Sequence, residues 1–429
     1  MLTKTKTAVE WVKTGLIVLL TASAFLLGWR TGLFNDFFGS IPLFGSVAEL
    51  MRGPSGSGMA GSGSFKEAAK PLTIVITNEE GKHYGVKYDT DARNAAYDRT
   101  SSIMGEALGS AAVSSEISEA EWREALSGPN VYFEYISPVR FPILSAWLIG
   151  VRMTEITHDF PVRRVCIAFS DDKSRIYYQD NDSGAFYSAD TAASSGKAQE
   201  LGIYTPNGTF FAFELGLEVA LNAPYMLIMP DSEHPDVRAV VPGSPEELLN
   251  MTLSALGHSN EQYITQPEST GGLRRVGTQF NISVDMNGSI TYRRIDLPAH
   301  DNEQPLPTAC EVIEIARSVV ADTIGMDCGS AEVFSDLLQT GEGDSCSVYF
   351  GYYIAGGRVY LPRDNHAARV TVISGVVTDV ELCFRSFSYT GDYTVLLPER
   401  QALAAAGGEF MLCYSDTGAD ILQPTWVLH

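Results

Sequence analysis

Arg369-Val-Thr-Val-Ile-Ser-Gly-Val-Val-Thr-Asp-Val-Glu-Leu382 decides the fold of this chain. On both sides of Ser374-Gly375, β-branched and apolar residues alternate with polar ones, as in two half-buried strands joined by a tight turn. Strands are therefore predicted over 368–374 and 376–388, paired with each other. Just upstream, 331–338 and 345–355 form a second pair. A helix over 308–324 precedes them, with Cys310, Ile313, Ala316, Val320 and Ile324 along one face. The same order stands one step further back. Ser244-Pro-Glu-Glu supplies an N-cap, a first-turn proline and early acidic residues for a helix to about 256. Strands at 277–285 and 289–294 then meet at Asn287-Gly288, a type I′ turn signal. A short helix at 398–406 and strands at 409–414 and 422–428 close the chain.

Helices followed by antiparallel strands imply an α+β architecture, with helices packed on one face of the sheets. Residues 244–429 thus read as a C-terminal region, its parts 244–300 and 301–429 resembling degenerate copies of one unit. Residues 67–243 read as a separate N-terminal α+β domain. It opens with a hairpin of 72–77 and 84–88, followed by a helix over 91–112. Ser118 and Glu121 form a capping box for a short helix that Gly128-Pro129 ends. Strands follow at 131–136, 163–169, 175–179 and 185–188, and 225–229 and 238–241 finish the domain.

Residues 11–29 are apolar apart from Lys13. About 19 helical residues just span a ~30 Å hydrocarbon core. Lys4, Lys6 and Lys13 place the N-terminus in the cytoplasm. Ala22-Ser-Ala24 has the form of a peptidase site, but Phe25-Leu-Leu27 carries the apolar run through it, so the anchor is expected to be retained. Residues 1–30 are then a cytoplasmic tip and transmembrane helix, and 31–66 an interfacial segment with an uncharged Gly/Ser linker. The bulk of the chain is expected outside the cell membrane, tethered by a single pass. Thr14, Thr21, Ala24 and Gly28 line one face of the helix, and Ala24 with Gly28 forms a small-xxx-small pair suited to helix contact.

The net charge of −22 excludes nucleic acid as a partner, since no basic face appears. Six cysteines contain no Cys-x-x-Cys, and most sit in strand-like apolar contexts. One C-terminal disulfide stays possible, with its pairing open. Ser170 with Lys173 and Ser194 with Lys197 match Ser-x-x-Lys, but Lys13-Thr-Gly15, the only Lys-Thr-Gly, lies at the cytoplasmic end of the anchor. There is no Gly-x-Ser-x-Gly and no His-Glu-x-x-His; His158-Asp159, His234-Pro-Asp236 and His300-Asp301 read as exposed turns. Asp180-Asn-Asp-Ser-Gly184 begins like a calcium loop, yet Thr191 stands where the twelfth-position glutamate belongs, which favours a hairpin turn. No catalytic, cofactor-binding or metal residue is assigned, and no enzyme activity is expected.

The C-terminal sequence resembles the YycH/YycI family. The resemblance rests on 369–377, on Tyr393-Thr-Val-Leu-Leu-Pro398 leading into an Ala-rich helix, and on the closing Leu422-Gln-Pro-Thr-Trp-Val-Leu428. An N-terminal anchor and a first domain with Glu121-Trp122 and Tyr132-Phe-Glu-Tyr135 add to it, and the length is YycH-like. The resemblance implies a non-catalytic regulator of a WalK-type (YycG) sensor histidine kinase, acting through transmembrane and ectodomain contacts beside a YycI-like companion. A stand-alone PepSY-like envelope module acting on a peptidase or cell-wall hydrolase is the alternative.

Overall fold

The computed structural model describes residues 65–149, 161–170, 173–193, 201–216, 222–269, 271–296, 306–341, 344–361 and 366–428. They all fall in one compact unit, Met59–His429. The expected anchor, linker and helix face of Thr14, Thr21, Ala24 and Gly28 lie outside the described residues. Among the described residues, no helix is long and apolar enough to cross a membrane.

Apolar alternation builds the first sheet. Its strands are β1 (Thr73–Thr77), β2 (His83–Val86), β3 (Ser115–Ile117), β4 (Asn130–Arg140), β5 (Pro161–Ser170), β6 (Lys173–Asp180) and β7 (Phe186–Thr191). They run in the order β2-β1-β4-β5-β6-β7-β3, antiparallel throughout. Side chains a residue apart point to opposite faces. Ile74, Ile76, Val131, Phe133, Val165 and Ile167 therefore join one core, and Val75, Tyr132 and Cys166 another. Helices α1 (Thr90–Ser110) and α3 (Phe141–Ile149) cover the first face, and α2 (Glu119–Ser127) brings buried Trp122 to the second. Both faces are covered, so these strands read as apolar runs.

Two dipeptide-scale strands, β8 (Phe210–Phe211) and β9 (Leu227–Ile228), pair beside this sheet. The strand β10 (Glu233–Val240) leads to α4 (Pro245–Ala255). Then follow β11 (Tyr263–Pro267), β12 (Leu273–Gly277), β13 (Phe280–Val284), β14 (Ser289–Arg294), α5 (Ala309–Ala321), β15 (Glu332–Thr340) and β16 (Ser345–Ile354). The chain ends with β17 (Gly357–Tyr360), β18 (Ala368–Ile373), β19 (Val376–Cys383), β20 (Ser386–Val395), α6 (Glu399–Ala406), β21 (Phe410–Ser415), β22 (Ile421–Leu422) and β23 (Pro424–Leu428).

An 11-stranded sheet runs β11-β12-β13-β14-β19-β18-β16-β17-β21-β23, with β15 beside β16. Its centre is the antiparallel β14–β19 pair, which joins strands following α4 to strands following α5. Those two helices touch each other and pack on the same face, over β13 and over β16 and β18. The architecture is α+β, as expected. One pairing departs from the antiparallel expectation: β17 and β21 are parallel, because the chain crosses over through α6 before returning. A separate sheet, β20-β10-β22, takes a strand from each side of residue 243.

Local signals were fully realised at helix starts. Ser118, Ser244 and Thr308 each close a capping box, with Glu121, Glu247 and Glu311. Replacing Ser244 or Thr308 with alanine removes an acceptor for an otherwise orphaned amide and should cost about 1 kcal/mol each. Urea midpoints of the single and double variants check this, and losses below a few tenths would show that the caps are solvated substitutes.

Candidate interaction surface

The polar groups that suggested chemistry are occupied in holding strands together. Ser170 faces Lys173 across the β5–β6 hairpin, and its hydroxyl donates to the Lys173 carbonyl at 3.2 Å. The pair is therefore not the helical Ser-x-x-Lys arrangement. Ser194, Lys197, His158, Asp159, His300 and Asp301 lie outside the described residues. Asp180 accepts from the Asp182 and Ser183 amides at 3.0 and 3.2 Å, which closes the β6–β7 turn and spends its carboxylate there.

Two constellations have the atoms of a proton relay. Thr77 Oγ1 lies 2.8 Å from His83 Nδ1, and His83 Nε2 lies 3.0 Å from Glu214. His258 bridges Glu261 (2.7 Å) and Tyr292 (2.8 Å). A relay needs an accessible nucleophile. Thr77 is a buried cross-strand partner of His83, and Tyr292 is a buried core residue of β14. Burial pushes the Tyr292 hydroxyl up to about 12. Both constellations are read as ties between elements.

A third cluster joins the N-terminal sheet to the C-terminal elements. Glu399, at the first turn of α6, is fully buried. Tyr88 donates to its Oε1, the Met229 amide donates to Oε2 at 2.6 Å, and Lys87 Nζ stands 3.7 Å away. Beside it His234 is 1% exposed, held edge-on between Tyr88 and Trp426 at 4.7 and 5.3 Å. Among the described residues, neither ring nitrogen of His234 has a hydrogen-bond partner. Burial, with Lys87 adding to it, lowers its pKa to about 4. Trp426 donates to the Leu397 carbonyl at 2.8 Å, so the closing strand and the turn before α6 lock together here. None of this was visible in the sequence, where His234 read as an exposed turn residue and Glu399 fell unremarked within the short helix expected at 398–406.

The face of the 11-stranded sheet opposite α4 and α5 carries polar side chains in register. Gln266, Arg274, Ser283, Thr291, Glu381, Arg369 and Tyr349 follow one another across successive strands. Above β14, β18 and β19 this face deepens into a half-open hollow of about 730 Å³, lined by Thr291, Tyr349, His366, Arg369, Glu381 and Arg385 among others. Its rim is fixed by Arg385, whose Nε donates to Asp416 at 2.6 Å, while Asp416 accepts the Gly418 amide at 3.0 Å. The cations here are already neutralised, Arg369 by Glu381 and Arg385 by Asp416. Such a surface suits an extended neutral polar chain better than a phosphate or a free carboxylate. None of the six cysteines forms a disulfide among the described residues, and burial raises the thiol pKa of Cys413 to about 12.

No family model matches the chain, and no curated protein matches it. Among solved structures it is similar to the crystal structure of YycH from Bacillus subtilis. The likeness covers 85% of this chain and 94% of that one, with a TM-score of 0.49 and 12% sequence identity. The neighbour bears the name of the family that the C-terminal residues resemble. At that distance the likeness says nothing about what this chain does.

The residues that carried the sequence resemblance have structural tasks. Ser374 and Gly375 both take positive φ (49° and 80°) in the β18–β19 turn, a backbone that glycine adopts without strain. Trp122 and Tyr132 fill the second core.

Proposed function

We propose that this chain is a membrane-tethered extracytoplasmic regulator that binds rather than catalyses, controlling a WalK/YycG-type sensor histidine kinase together with a YycI-like companion. What carries this reading is how the polar groups are used. The buried or half-buried carboxylates Glu134, Asp336, Glu399 and Asp416 are each occupied by cations or amides of the fold. Among the described residues, the 11-stranded sheet meanwhile leaves a broad polar face and a hollow uncovered. The apolar run 11–29 and the uncharged linker support tethering, and Thr14, Thr21, Ala24 and Gly28 are proposed as the face that meets the kinase helices.

The test uses the full chain and the kinase in proteoliposomes. Adding the protein should shift kinase autophosphorylation about five-fold or more. The double variant Ala24→Leu, Gly28→Leu should remove most of that shift and cross-linking to the kinase helices. An unchanged kinase rate with the wild-type chain would end the kinase reading. Normal regulation by the double-leucine variant would move recognition to the ectodomain.

A further inference from the structure

Strand β20 is an outer strand, paired with β10 along one side. The Leu396 amide donates to the Ser232 carbonyl at 2.8 Å. Antiparallel pairs alternate, so the N–H and C=O groups of Tyr393 and Val395 point away from β10. At the start of the strand the outer side is occupied, since Phe387 donates to Cys328 (3.0 Å) and accepts from Ser330 (2.8 Å). After Gly391, no strand among the described residues pairs with it.

Natural edges are protected by inward charges, lysines, prolines or bulges. Here the bulge opposite Pro235 and Val237 falls before Tyr393, and Pro398 comes only after the edge has ended. The exposed side chains are apolar instead: Tyr393 is 64% exposed, Val395 68% and Leu397 47%. The Leu397 carbonyl is taken by Trp426, so the stretch without an outer partner among the described residues is Tyr393–Val395. Such a stripe fits strand addition, in which main-chain bonds give affinity and alternate side chains give selectivity.

The charge around the edge selects the occupant. Asp231, Glu233 and Asp392 are exposed beside it, and 386–399 contains no lysine or arginine. A second copy of a chain carrying −22 would meet like charge at this edge. An anionic lipid surface would be repelled in the same way. We propose that the 393–395 edge captures an extended basic segment of a partner protein, with lysine or arginine alternating with apolar residues, as an added antiparallel or parallel strand. The inference holds whatever protein is regulated.

The full chain in detergent micelles is titrated with a heptapeptide alternating valine with lysine, and with its valine–glutamate counterpart. Amide hydrogen exchange locates the binding. The lysine peptide should bind about ten-fold or more tightly than the glutamate peptide and protect the Tyr393 and Val395 amides. Val395→Pro removes an outward donor from an edge strand that tolerates proline, and should weaken binding about ten-fold. Thr265→Pro, on the outer strand β11, should leave it unchanged. Equal affinity for both peptides, unchanged binding by Val395→Pro, or no saturable binding would overturn the proposal. So would protection of the same amides by phosphatidylglycerol vesicles but not by the lysine peptide. If Val395→Pro fails to fold, the exchange pattern on the wild-type chain still decides.

Discussion

Replacing Glu399 with alanine should destabilise the fold by about 3–5 kcal/mol, the usual cost of leaving a buried charge without its partner. The carboxylate is fully buried and answers three groups: the Tyr88 hydroxyl, the Met229 amide and the Lys87 ammonium. Alanine strands all three, and Lys87 is itself only 8% exposed. Glu399→Gln keeps an acceptor for the Met229 amide, while the Tyr88 hydroxyl can turn to accept from the new side-chain amide, so it should lose less. Replacing both charges, as Lys87→Met with Glu399→Leu, should recover only the part of the loss due to the stranded ammonium, because the Tyr88 hydroxyl and the Met229 amide still lack their acceptor. Urea unfolding of the four proteins checks the series. A loss below about 1 kcal/mol for Glu399→Ala would show that the cluster is solvated and does not hold the junction.

The second large effect is acid destabilisation through His234. Its pKa falls from an ordinary 6.5 to about 4 in the fold, first through burial and then through Lys87, against a smaller opposing pull from Asp231. Tyr88 and Trp426 face it from either side, with Glu399 beyond Tyr88. Above pH 6.5 the imidazole is neutral whether folded or unfolded, and it changes nothing. Below that, the unfolded chain takes up a proton that the folded one refuses, so stability falls with pH until about pH 4. The full loss is about 3 kcal/mol. His234→Phe keeps an aromatic ring between Tyr88 and Trp426 and gives up no hydrogen bond. The stability difference between wild type and this variant should therefore shrink or reverse by that amount between pH 7 and pH 4. A difference that stays constant with pH would mean that His234 is protonated, or reached by water, in the folded protein.

Features whose cause is local could be read in advance. The capping box at Ser118 and the N-cap at Ser244 need only residues three apart. A turn was also legible at Asn287-Gly288, but not its type: only Gly288 takes positive φ (74°), and its amide closes onto the Asp285 carbonyl at 3.1 Å, so a three-residue loop with a left-handed glycine replaces the expected type I′ turn. Helix α3 was missed because Phe-Pro-Ile-Leu-Ser-Ala-Trp-Leu-Ile is apolar almost throughout and carries no 3.6-residue stripe. It is buried by α1 and by α5, whose Glu314 accepts from Trp147 at 2.6 Å. Strands β11 and β12 were missed for the opposite reason: β11 is an exposed outer strand, and β12 beside it is rich in arginine and only half-buried. Strand β20 was read as the end of β19, since nothing in Cys383-Phe-Arg-Ser386 shows that the chain leaves one sheet for another. What makes it do so is Asp416, which holds Arg385 from a distant loop. The junction at Glu399 likewise depends on Lys87 and Tyr88, which no window of sequence brings near it.

Strand β10 can complete its sheet only with β20 and β22, both near the end of the chain. A ribosome making the protein from the N-terminus delivers β10 long before either partner exists. Until then its backbone lacks the strand partners it has in the finished sheet, and the buried Val237 and Ala239 are not yet covered by β20 and β22. Pairings this distant in sequence form slowly, because loop closure must precede any gain from contact. The nascent chain thus passes through a long interval as a half-built particle that proteases and holding chaperones can recognise. Truncations that remove only the last few tens of residues should be cleared from cells even though most of the first sheet is intact. For this molecule, completion of synthesis is itself a folding checkpoint.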